Sequence, residues 1–526
     1  MKASMPHILL LVTDQFRFDA VSPIITPNLW ELMHRNGSTT FHRAYTSTPT
    51  CTPARAALLT GKSPWAHGLL SYWNNLDCTN YPTTLPHALR DHRGYHTVAM
   101  GKNHFGPVKH VQGYQTEKIY DGLSFYFDDY DEWFNRTMPG VNPKATCELD
   151  WNDWPACPYA FDEYLHPTAW TTRMAMEFLE GYFGEETSKN HETVPLLLKV
   201  SFHRPHSPYD PPRRIMDQYL EGGSKAHIPQ LQRFVNDSSW DRKYKSINMT
   251  RSAWAGDPGD EAARHSRAGY LGGVEFVDEH IGKLFDYLMS NGLWDNFMVV
   301  WVSDHGDQNG DHYLWRKGFP WEANAHVCMV MNLPHSSHRP AQQSNALVEL
   351  RDVAPTLYDI VGVLKKVKEQ DPLMDGASLL PILNGSQTSV REWLDLEHGR
   401  AYTSTNHWNA LVGNLQYEGN EQDCQYWKYI FHAYDASEQL FCLEKDPNET
   451  EDSAPLEEYQ GILSTWRNRL VDQFQREGRG RIWLKGTRLR RRRHISTTFG
   501  RNYPCSHPLV ERFTDKIMTK WTDVVH

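Results

Sequence analysis

The stretch His7-Ile-Leu-Leu-Leu-Val-Thr13 forms a continuous apolar run that ends directly at Asp14 and Gln15. A strand with one face in water alternates apolar and polar residues, and this run shows no such alternation. It is therefore typical of a strand that is buried on both faces, as in a parallel sheet covered by helices. We predict a buried strand of an α/β sheet here, with polar side chains at its carboxyl end.

Comparable short apolar runs recur along the first part of the chain, at His96–Met100, Pro195–Phe202 and Phe297–Ser303. Helical patterns lie between them, namely Tyr270–Asn291, Leu350–Val363 and a helix opened by Thr26 as N-cap and Pro27 at the first position. Strands that alternate with helices predict a right-handed α/β sheet sandwich. We assign this catalytic unit to residues 1–385.

The pattern changes beyond residue 385, and we predict a smaller α+β domain over residues 386–526. Lys428–Phe431 and Gln439–Leu443 are expected to pair as a hairpin, and a helix is expected at about 455–475. The block Arg488-Leu-Arg-Arg-Arg-Arg493 ends this domain as a basic tail segment. A solvated surface is the plain interpretation of this block, and contact with an anionic polymer is the alternative.

Composition excludes several classes of protein. The 526 residues carry a formal charge of −10, which argues against general nucleic-acid or membrane-surface binding. The apolar run after His7 is too short to span a membrane, and we expect no signal peptide before it. The plain expectation is a cytoplasmic protein, or a periplasmic or secreted one if the N-terminus is truncated. Eight cysteines without a CxxC motif exclude zinc fingers, and permit disulfides without showing them. The oligomeric state stays open.

Polar side chains follow each of the four apolar runs. They are Asp14-Gln15 after the first run, Lys102-Asn103-His104 after the second, His203 and His206 after the third, and Asp304-His305 after the fourth. Ligands bind at the carboxyl ends of the strands in parallel α/β sheets. Four unrelated polar loops are a poor explanation for this placement, so the pattern predicts one active site.

A further segment, Cys51-Thr-Pro-Ala-Arg55-Ala-Ala-Leu-Leu-Thr60-Gly61, places a cysteine at the start of a helix. The helix dipole and the free backbone N–H groups of the first turn favour an anion at this position. As chemistry, this favours an activated thiolate. A buried structural cysteine is the alternative for the residue taken alone.

Cys-x-Pro-x-Arg followed by Thr-Gly resembles the signature of the sulfatase family. The resemblance extends over nearly the whole chain, to Gly101–Gly106, Pro205–Tyr209, Ser303–Gly306, Gly310–His312, Trp315–Gly318, Glu397–Gly399, Glu438–Phe441 and Asp446–Glu449. The last three segments resemble the small domain of carbohydrate-acting members. The resemblance implies an alkaline-phosphatase-like fold, with a mixed sheet sandwiched by helices, and a sulfuric ester hydrolase.

The resemblance also implies two cofactors. Cys51 would be oxidised to formylglycine by a separate maturase, and one divalent metal would be held by Asp14, Gln15, Cys51, Asp304 and His305. Hard oxygen ligands suit Ca²⁺, Mg²⁺ or Mn²⁺, and Ca²⁺ is the expectation from the family.

Five further residues receive roles from the same resemblance. Arg55 would hold the modified side chain, Lys102 and Lys317 would clamp sulfate oxygens, His104 would take a proton from the modified residue, and His206 would protonate the leaving alcohol. Asn74 and Asn75, in the loop after the cysteine helix, are weaker candidates for a contact with sulfate.

Two departures from the family pattern keep a second function open. Many sulfatases have Asp where this chain has Gln15, and Asn where it has His305. The combination also resembles phosphonate monoester and phosphodiester hydrolases of the same superfamily, and the imidazole makes the site more hospitable to Mn²⁺. The first hypothesis is removal of sulfate from a sulfated carbohydrate, such as a glycosaminoglycan or algal polysaccharide fragment. The second is phosphonate or phosphodiester hydrolysis. A non-catalytic binding module with an unmodified Cys51 is a third, poorer interpretation.

Overall fold

The structure is a computed structural model that describes residues 5–71, 81, 83–105, 112–122, 127–143, 147–184, 194–336, 338–400, 402–403, 405–415, 424–493 and 502. The strands are β1 His7–Asp14, β2 Ser38–Tyr45, β3 His96–Gly101, β4 Thr116–Ile119, β5 Leu196–Pro205, β6 Phe297–Ser303, β7 Met329–Asn332, β8 Gln342–Glu349, β9 Trp393–His398, β10 Trp408–Asn414, β11 Tyr426–His432, β12 Ser437–Cys442, β13 Leu484–Lys485 and β14 Arg488–Leu489. The α-helices are α1 Pro27–His34, α2 Cys51–Thr60, α3 Pro64–His67, α4 Leu85–Arg93, α5 Asp129–Thr137, α6 Pro167–Phe183, α7 Arg213–Tyr219, α8 Pro229–Gln232, α9 Arg242–Lys245, α10 Asp260–Ser290, α11 Glu322–Ala325, α12 Val353–Ile360, α13 Leu364–Gln370, α14 Leu380–Leu383 and α15 Gln460–Arg476.

The large sheet has eight strands in the order β4-β3-β5-β1-β6-β7-β2-β8. Strand β1 lies inside it, parallel to both β5 and β6, and all eight of its residues are buried. The other three predicted runs form β3, β5 and β6, so all four predicted strands are confirmed. Strand β7 runs antiparallel to β6 and to β2, which makes the sheet mixed.

Helices cover both faces of this sheet. Ile8, Leu10 and Val12 of β1 belong to one hydrophobic core, which includes residues of α2, α4 and α12. Leu9 and Leu11 belong to a second core, built with α1, α6 and α10. Because successive side chains of a strand point to opposite faces, one uninterrupted apolar run supplies both cores. The predicted mixed sheet sandwiched by helices is confirmed.

Some predicted details differ from the structure. The helix expected at Tyr270–Asn291 begins ten residues earlier, at Asp260, and ends at Ser290. Thr26 precedes α1, but its hydroxyl donates to the Ser22 carbonyl and does not cap the helix. Strand β2 was not predicted, because its residues Ser38-Thr-Thr-Phe-His-Arg-Ala-Tyr45 are mostly polar. Neighbouring strands supply the hydrogen bonds that make this segment a strand.

The second sheet is antiparallel, with the order β12-β11-β10-β9. Strands β11 and β12 form the predicted hairpin, and α15 lies where a helix was expected. Residues of α15 share a core with β11 and β12, which gives a small α+β unit. The boundary at residue 385 stays a prediction, although the large sheet ends at Glu349 and the small one begins at Trp393.

Disulfides join Cys147 to Cys157 and Cys424 to Cys442, and Cys51 and Cys328 are the free cysteines of the described residues. Across the part of the chain that the structure describes, we find no helix that combines the length and the apolarity needed to cross a bilayer.

Candidate active site

The carboxyl ends of four strands of the large sheet meet at one point. Strand β1 ends at Asp14, β6 is followed by Asp304 and His305, β3 by Lys102, and β5 by His206. Backbone hydrogen bonds tie the strand ends together, since the amide of Asp304 donates to the Thr13 carbonyl over 3.3 Å. The side chains that the sequence placed at separate strand ends thus form one buried cluster.

Cys51 is the first residue of α2 and faces this cluster. Its N-cap residue Thr50 is extended, and the Thr50 side chain does not cap the N–H groups of the first turn. The Cys51 Sγ atom lies 3.2 Å from His305 Nε2, 3.3 Å from Lys317 Nζ, 3.6 Å from Asp14 Oδ1 and 3.8 Å from Lys102 Nζ. Two ammonium groups and two potential metal ligands therefore surround the sulfur.

The donor atoms of a metal site lie together around this sulfur. Ligand atoms of Asp14, Cys51, Asp304 and His305 all lie within 4.8 Å of one another. His305 Nδ1 is hydrogen-bonded to the Gly306 carbonyl over 2.9 Å, which leaves Nε2 to face the two carboxylates. Carboxylate oxygens and one imidazole fit a divalent cation.

Gln15 adjoins this cluster through its backbone and its amide. Its backbone N–H donates to Asp304 Oδ1 over 3.0 Å, and its φ of 66° turns the chain sharply at the end of β1. Its Oε1 accepts from Lys317 Nζ over 3.0 Å, while its Nε2 donates to Asp307 Oδ2 over 2.5 Å. The amide oxygen thus lies on the side of the site where Lys317 approaches the cysteine.

Charged neighbours set the ionisation of the two carboxylates differently. Burial and Cys51 favour the neutral form of Asp14, but Lys102, His206 and Lys317 outweigh them, and the pKa of Asp14 lies below its usual range. Burial and the charge of Asp14 raise the pKa of Asp304. The carboxylate next to the lysines is therefore the more readily ionised of the pair.

The same cations act on the cysteine. Burial favours the neutral thiol of Cys51, yet Lys102, Lys317 and His305 favour the thiolate more strongly. The pKa of Cys51 consequently lies well below its usual value. The site is thus built to stabilise negative charge at position 51.

Arg55 lies one helical turn after Cys51 and is buried. Its Nε donates to Asp304 Oδ2 over 3.0 Å, and its Nη1 donates to Ser201 Oγ and to the Lys102 carbonyl, each over 2.9 Å. These bonds hold a metal-ligand candidate and the lysine loop in place. The hydrogen bonds of Arg55 go to these groups, and its predicted contact with the modified residue stays a prediction.

His206 and Lys317 form a pair. His206 Nδ1 is hydrogen-bonded to the Ser207 carbonyl over 2.8 Å, and its Nε2 lies 2.5 Å from Lys317 Nζ. Burial and then the Lys317 charge lower the pKa of His206 to about 3. The imidazole is therefore neutral at pH 7, and its Nε2 accepts from the Lys317 ammonium group.

His104 approaches the cysteine from the loop after β3. Its backbone is left-handed, with φ 57°, and a hydrogen bond from its side chain contributes to the lowered pKa of Cys51. Its Nδ1 is buried without a hydrogen-bond partner in the described part of the chain. All the predicted site residues thus converge, whereas Asn74 and Asn75 lie outside the described residues.

Three supporting residues, Asp307, Tyr209 and Asp121, were not predicted as part of the site. Asp307 accepts from the Gln15 amide and from the Tyr209 hydroxyl, and Asp121 accepts from backbone amides of the His104 loop. Asp307 and Tyr209 lie only two or three residues from predicted site residues, so their motifs could have drawn attention to them. Asp121 has no such signal, because it lies two residues after the unpredicted strand β4.

Comparisons with known proteins agree with this geometry. Residues 6–363 match the family model described as Sulfatase, and residues 310–476 match the model described as N-sulphoglucosamine sulphohydrolase, C-terminal. The "Arylsulfatase" of Clostridium perfringens (strain 13 / Type A) is 29% identical, over 94% of this chain and 98% of that protein.

Two solved structures share the fold. The phosphonate monoester hydrolase from Silicibacter pomeroyi has a TM-score of 0.69 at 18% identity, and covers 94% of this chain and 100% of its own. A protein in complex with its substrate D-glucosamine-2-N,6-O-disulfate has a TM-score of 0.63 at 20% identity, and covers 91% and 99%.

Fold and site together define the class of the protein: a mixed α/β sheet covered by helices, with a buried nucleophile candidate beside a cluster that can bind a metal ion. Within that class, the chain belongs to the sulfatase family, whose model covers more than half of it. It is accordingly an enzyme that hydrolyses sulfuric esters.

Proposed function

We propose that this enzyme removes sulfate from a sulfated carbohydrate, such as a glycosaminoglycan or algal polysaccharide fragment, with residue 51 acting as a formylglycine. The observation that carries the proposal is the position of Cys51 Sγ, which lies within 3.8 Å of both Lys102 Nζ and Lys317 Nζ. The match of residues 310–476 to a model named after an amino-sugar sulfatase supports a carbohydrate substrate.

The cofactors of this proposal are one divalent metal and the modified cysteine. Asp14, Gln15, Asp304 and His305 would hold the metal together with residue 51, and Ca²⁺ is our first choice, with Mn²⁺ or Mg²⁺ as alternatives. When bound, the metal neutralises charge on a sulfate oxygen and favours the ionised nucleophile. Oxidation by a formylglycine-generating maturase, followed by hydration, would give residue 51 the two geminal hydroxyls that serve as nucleophile and as release group.

The chain's own residues then have separable roles. Lys102 Nζ and Lys317 Nζ lie 3.8 Å and 3.3 Å from Cys51 Sγ and would hold sulfate oxygens, which would stabilise the charge of the transition state. His206 would protonate the leaving alcohol, with the hydrogen-bonded Lys317 as the neighbouring source of the proton. His104 would accept a proton from the modified residue, and Arg55 would fix Asp304.

Purified protein, produced with the maturase, should be tested on an aryl sulfate and on a panel of defined sulfated oligosaccharides. We expect turnover of the aryl sulfate and a higher kcat/KM for at least one oligosaccharide, because remote contacts add binding energy to the transition state. Peptide mass spectrometry of the active enzyme should find formylglycine at position 51. An intact thiol in fully active enzyme would contradict the proposed nucleophile.

Phosphonate monoester or phosphodiester hydrolysis is the second candidate. It is favoured by Gln15, which gives the cluster one carboxylate fewer than the common sulfatase pattern, and by His305, which places an imidazole where that pattern has an amide. A phosphonate monoester assayed beside the aryl sulfate separates the two candidates. A kcat/KM that clearly favours the phosphonate would replace the first candidate with the second.

A further inference from the structure

Strand β4 delivers a carboxylate to the loop that carries two of the site residues. It pairs in parallel with β3, with Gly101 opposite Ile119, and the amide of Tyr120 donates to the Gly101 carbonyl over 3.2 Å. Beyond this pair both chains leave the sheet together. Asp121, two residues after Ile119, therefore faces Asn103, two residues after Gly101.

The Asp121 carboxylate binds two consecutive amides of that loop. Its Oδ1 accepts from the backbone N–H of Asn103 and from that of His104, each over 2.8 Å. Asp121 is only 2% exposed, so water does not compete effectively for these bonds. A charged acceptor makes both bonds stronger than neutral ones would be.

The loop needs such an anchor because its backbone is strained. His104 has φ 57°, a left-handed conformation that is unfavourable for a residue with a side chain. Gly101 at the other end has φ 85°, and a Cβ there would lie 2.1 Å from the Ser201 carbonyl oxygen. Lys102 lies between the two, so its direction depends on how the turn is held.

Neighbouring residues hold Asp121 in position. Its backbone N–H donates to Asp128 Oδ2 over 2.9 Å, and Asp128 caps the N-terminus of α5. The next residue, Gly122, has φ 70°, and a Cβ there would lie 2.3 Å from the His203 ring. Asp121 therefore links α5, through its backbone N–H, to the loop after β3, through its carboxylate.

We propose that Asp121 is a positioning residue for the reaction, which holds Lys102 and His104 in the geometry that acts on the group bound at position 51. This role rests on the proposed function of that site. Asp121 touches neither Cys51 nor the metal-ligand candidates through a hydrogen bond among the described residues, so it acts through the loop.

The test compares Asp121→Ala with Asp121→Asn in enzyme of equal formylglycine content. Alanine removes both hydrogen bonds, and we expect kcat to fall about 100-fold while KM changes less than threefold. The reason is that a displacement of catalytic side chains by about 1 Å lowers the rate about 100-fold. Asparagine keeps a carbonyl oxygen as acceptor and should recover kcat to within about tenfold of wild type. Hydrogen exchange of the 102–104 amides should become faster in the alanine variant.

A matched control is available at Asp278. This carboxylate is 1% exposed and also accepts from two consecutive amides, Asn28 N over 3.1 Å and Leu29 N over 2.8 Å, at the start of α1. Asp278→Ala should lower the melting temperature but leave kcat per folded molecule unchanged.

The outcomes distinguish a failure of the positioning role of Asp121 from a failure of the proposed function. If wild type turns over either ester class while Asp121→Ala retains wild-type kcat, or loses no more than Asp278→Ala, the positioning role is wrong and the proposed function stands. If wild type hydrolyses neither ester class, the proposed function fails, and the positioning role fails with it. Loss of kcat that Asp121→Asn restores, absent in Asp278→Ala, supports the proposal.

Discussion

The two sheets bury charges for different purposes. At the carboxyl end of the large sheet, Lys102 and Lys317 converge on the sulfur of Cys51. In the small sheet, Lys428 is completely buried between two glutamates, 2.6 Å from Glu322 Oε1 and 2.9 Å from Glu449 Oε1. Lys102 and Lys317 both face the Cys51 sulfur, Lys102 while it is also paired with Asp14, whereas Lys428 is neutralised by its two glutamates.

The partners of the two lysines explain the difference. Lys317 is bonded to the amide of Gln15, the imidazole of His206 and the Cys51 sulfur, so its positive charge remains available to an anion. Lys428 belongs to strand β11 of the small sheet, whereas Glu322 lies in α11, between strands β6 and β7 of the large sheet. Their bond therefore joins the two parts of the chain. Lys317, which has no carboxylate partner among its hydrogen bonds, therefore marks chemistry, and Lys428, held between two carboxylates, marks assembly. Lys102 combines the two features, since it faces the Cys51 sulfur and is also paired with Asp14.

Loss of Cys51, the residue that both site lysines face, should have the largest effect on turnover. We expect Cys51→Ala to lower kcat by at least about 10⁴-fold, because loss of a nucleophile removes the chemical step itself. Cys51→Ser should be nearly as inactive when it is made in a host whose maturase acts on cysteine. Turnover of the preferred ester and thermal unfolding are the measurements.

Cys328 provides the control for this variant, as the other free cysteine of the described residues. Burial raises its pKa, so it is an unreactive thiol. Cys328→Ala should keep full turnover, and Cys51→Ala should keep a cooperative melting transition. Substantial activity in Cys51→Ala would contradict the claim that the charges around Cys51 serve turnover.

Removal of the metal should rank second. Chelation is expected to lower turnover by about 10³-fold, because a Lewis acid contributes several kcal/mol to the stability of the transition state. It should also lower the melting temperature, since a ligand that binds only the folded state stabilises it. Adding back Ca²⁺ or Mn²⁺ in separate samples identifies the metal that restores turnover.

Two histidine variants test whether His305 is a metal ligand. His305→Ala should lose bound metal, measured by elemental analysis of the purified protein. His312 lies in the same loop but is paired with Asp241 over 3.0 Å, so His312→Asn should retain the metal. Equal metal content in both variants would contradict the placement of His305 in the metal site.

The charges of the small sheet should affect stability instead of rate. Lys428→Met leaves Glu322 and Glu449 buried without their cation, and we expect it to lower the free energy of unfolding by about 3–5 kcal/mol. The variant should keep kcat per folded molecule. Chemical denaturation at pH 7, with turnover measured on the folded fraction, tests both expectations.

A combined variant sharpens this prediction. Lys428→Met together with Glu322→Gln and Glu449→Gln removes the uncompensated charge, and should recover much of the lost stability. If the triple variant is no more stable than Lys428→Met, packing and not charge holds the two parts of the chain together.

The same contrast explains how much could be predicted from the sequence. Buried parallel strands have uninterrupted apolar runs, and their polar carboxyl ends must meet, so the site followed from local patterns at Asp14, Lys102, His206 and Asp304. Pairings between distant residues leave no local pattern. Lys428 with Glu322, and Asp121 with the amide of His104, depend on which strands become neighbours. The polar strand β2 was missed for the same reason.

Substitutions in the basic block at residues 488–493 should change the free energy of unfolding least. Arg488, Arg491 and Arg493 are exposed, as expected, but Arg492 is buried over the Trp483 ring, with 4.1 Å from Cζ to the ring centroid. It donates to Asn409 Oδ1 over 2.5 Å, while its Nε and Nη1 have no hydrogen-bond partner in the described part of the chain. Burial and the nearby Arg479 both lower its pKa.

Arg492 therefore differs from Lys428 in one respect that decides stability: within the described residues it forms no ion pair with a carboxylate, and the nearby Glu397 is paired with Arg479. Arg492→Met should retain contact with Trp483, relieve a buried charge with unpaired donors, and change the free energy of unfolding by less than about 1 kcal/mol. Arg488→Ala, at an exposed position, should change it by less than about 0.5 kcal/mol. Denaturant unfolding of both variants beside Lys428→Met is the measurement. A loss of 3 kcal/mol or more in Arg492→Met would mean that burial of a cation, and not its partnership with carboxylates, determines its contribution in the small sheet.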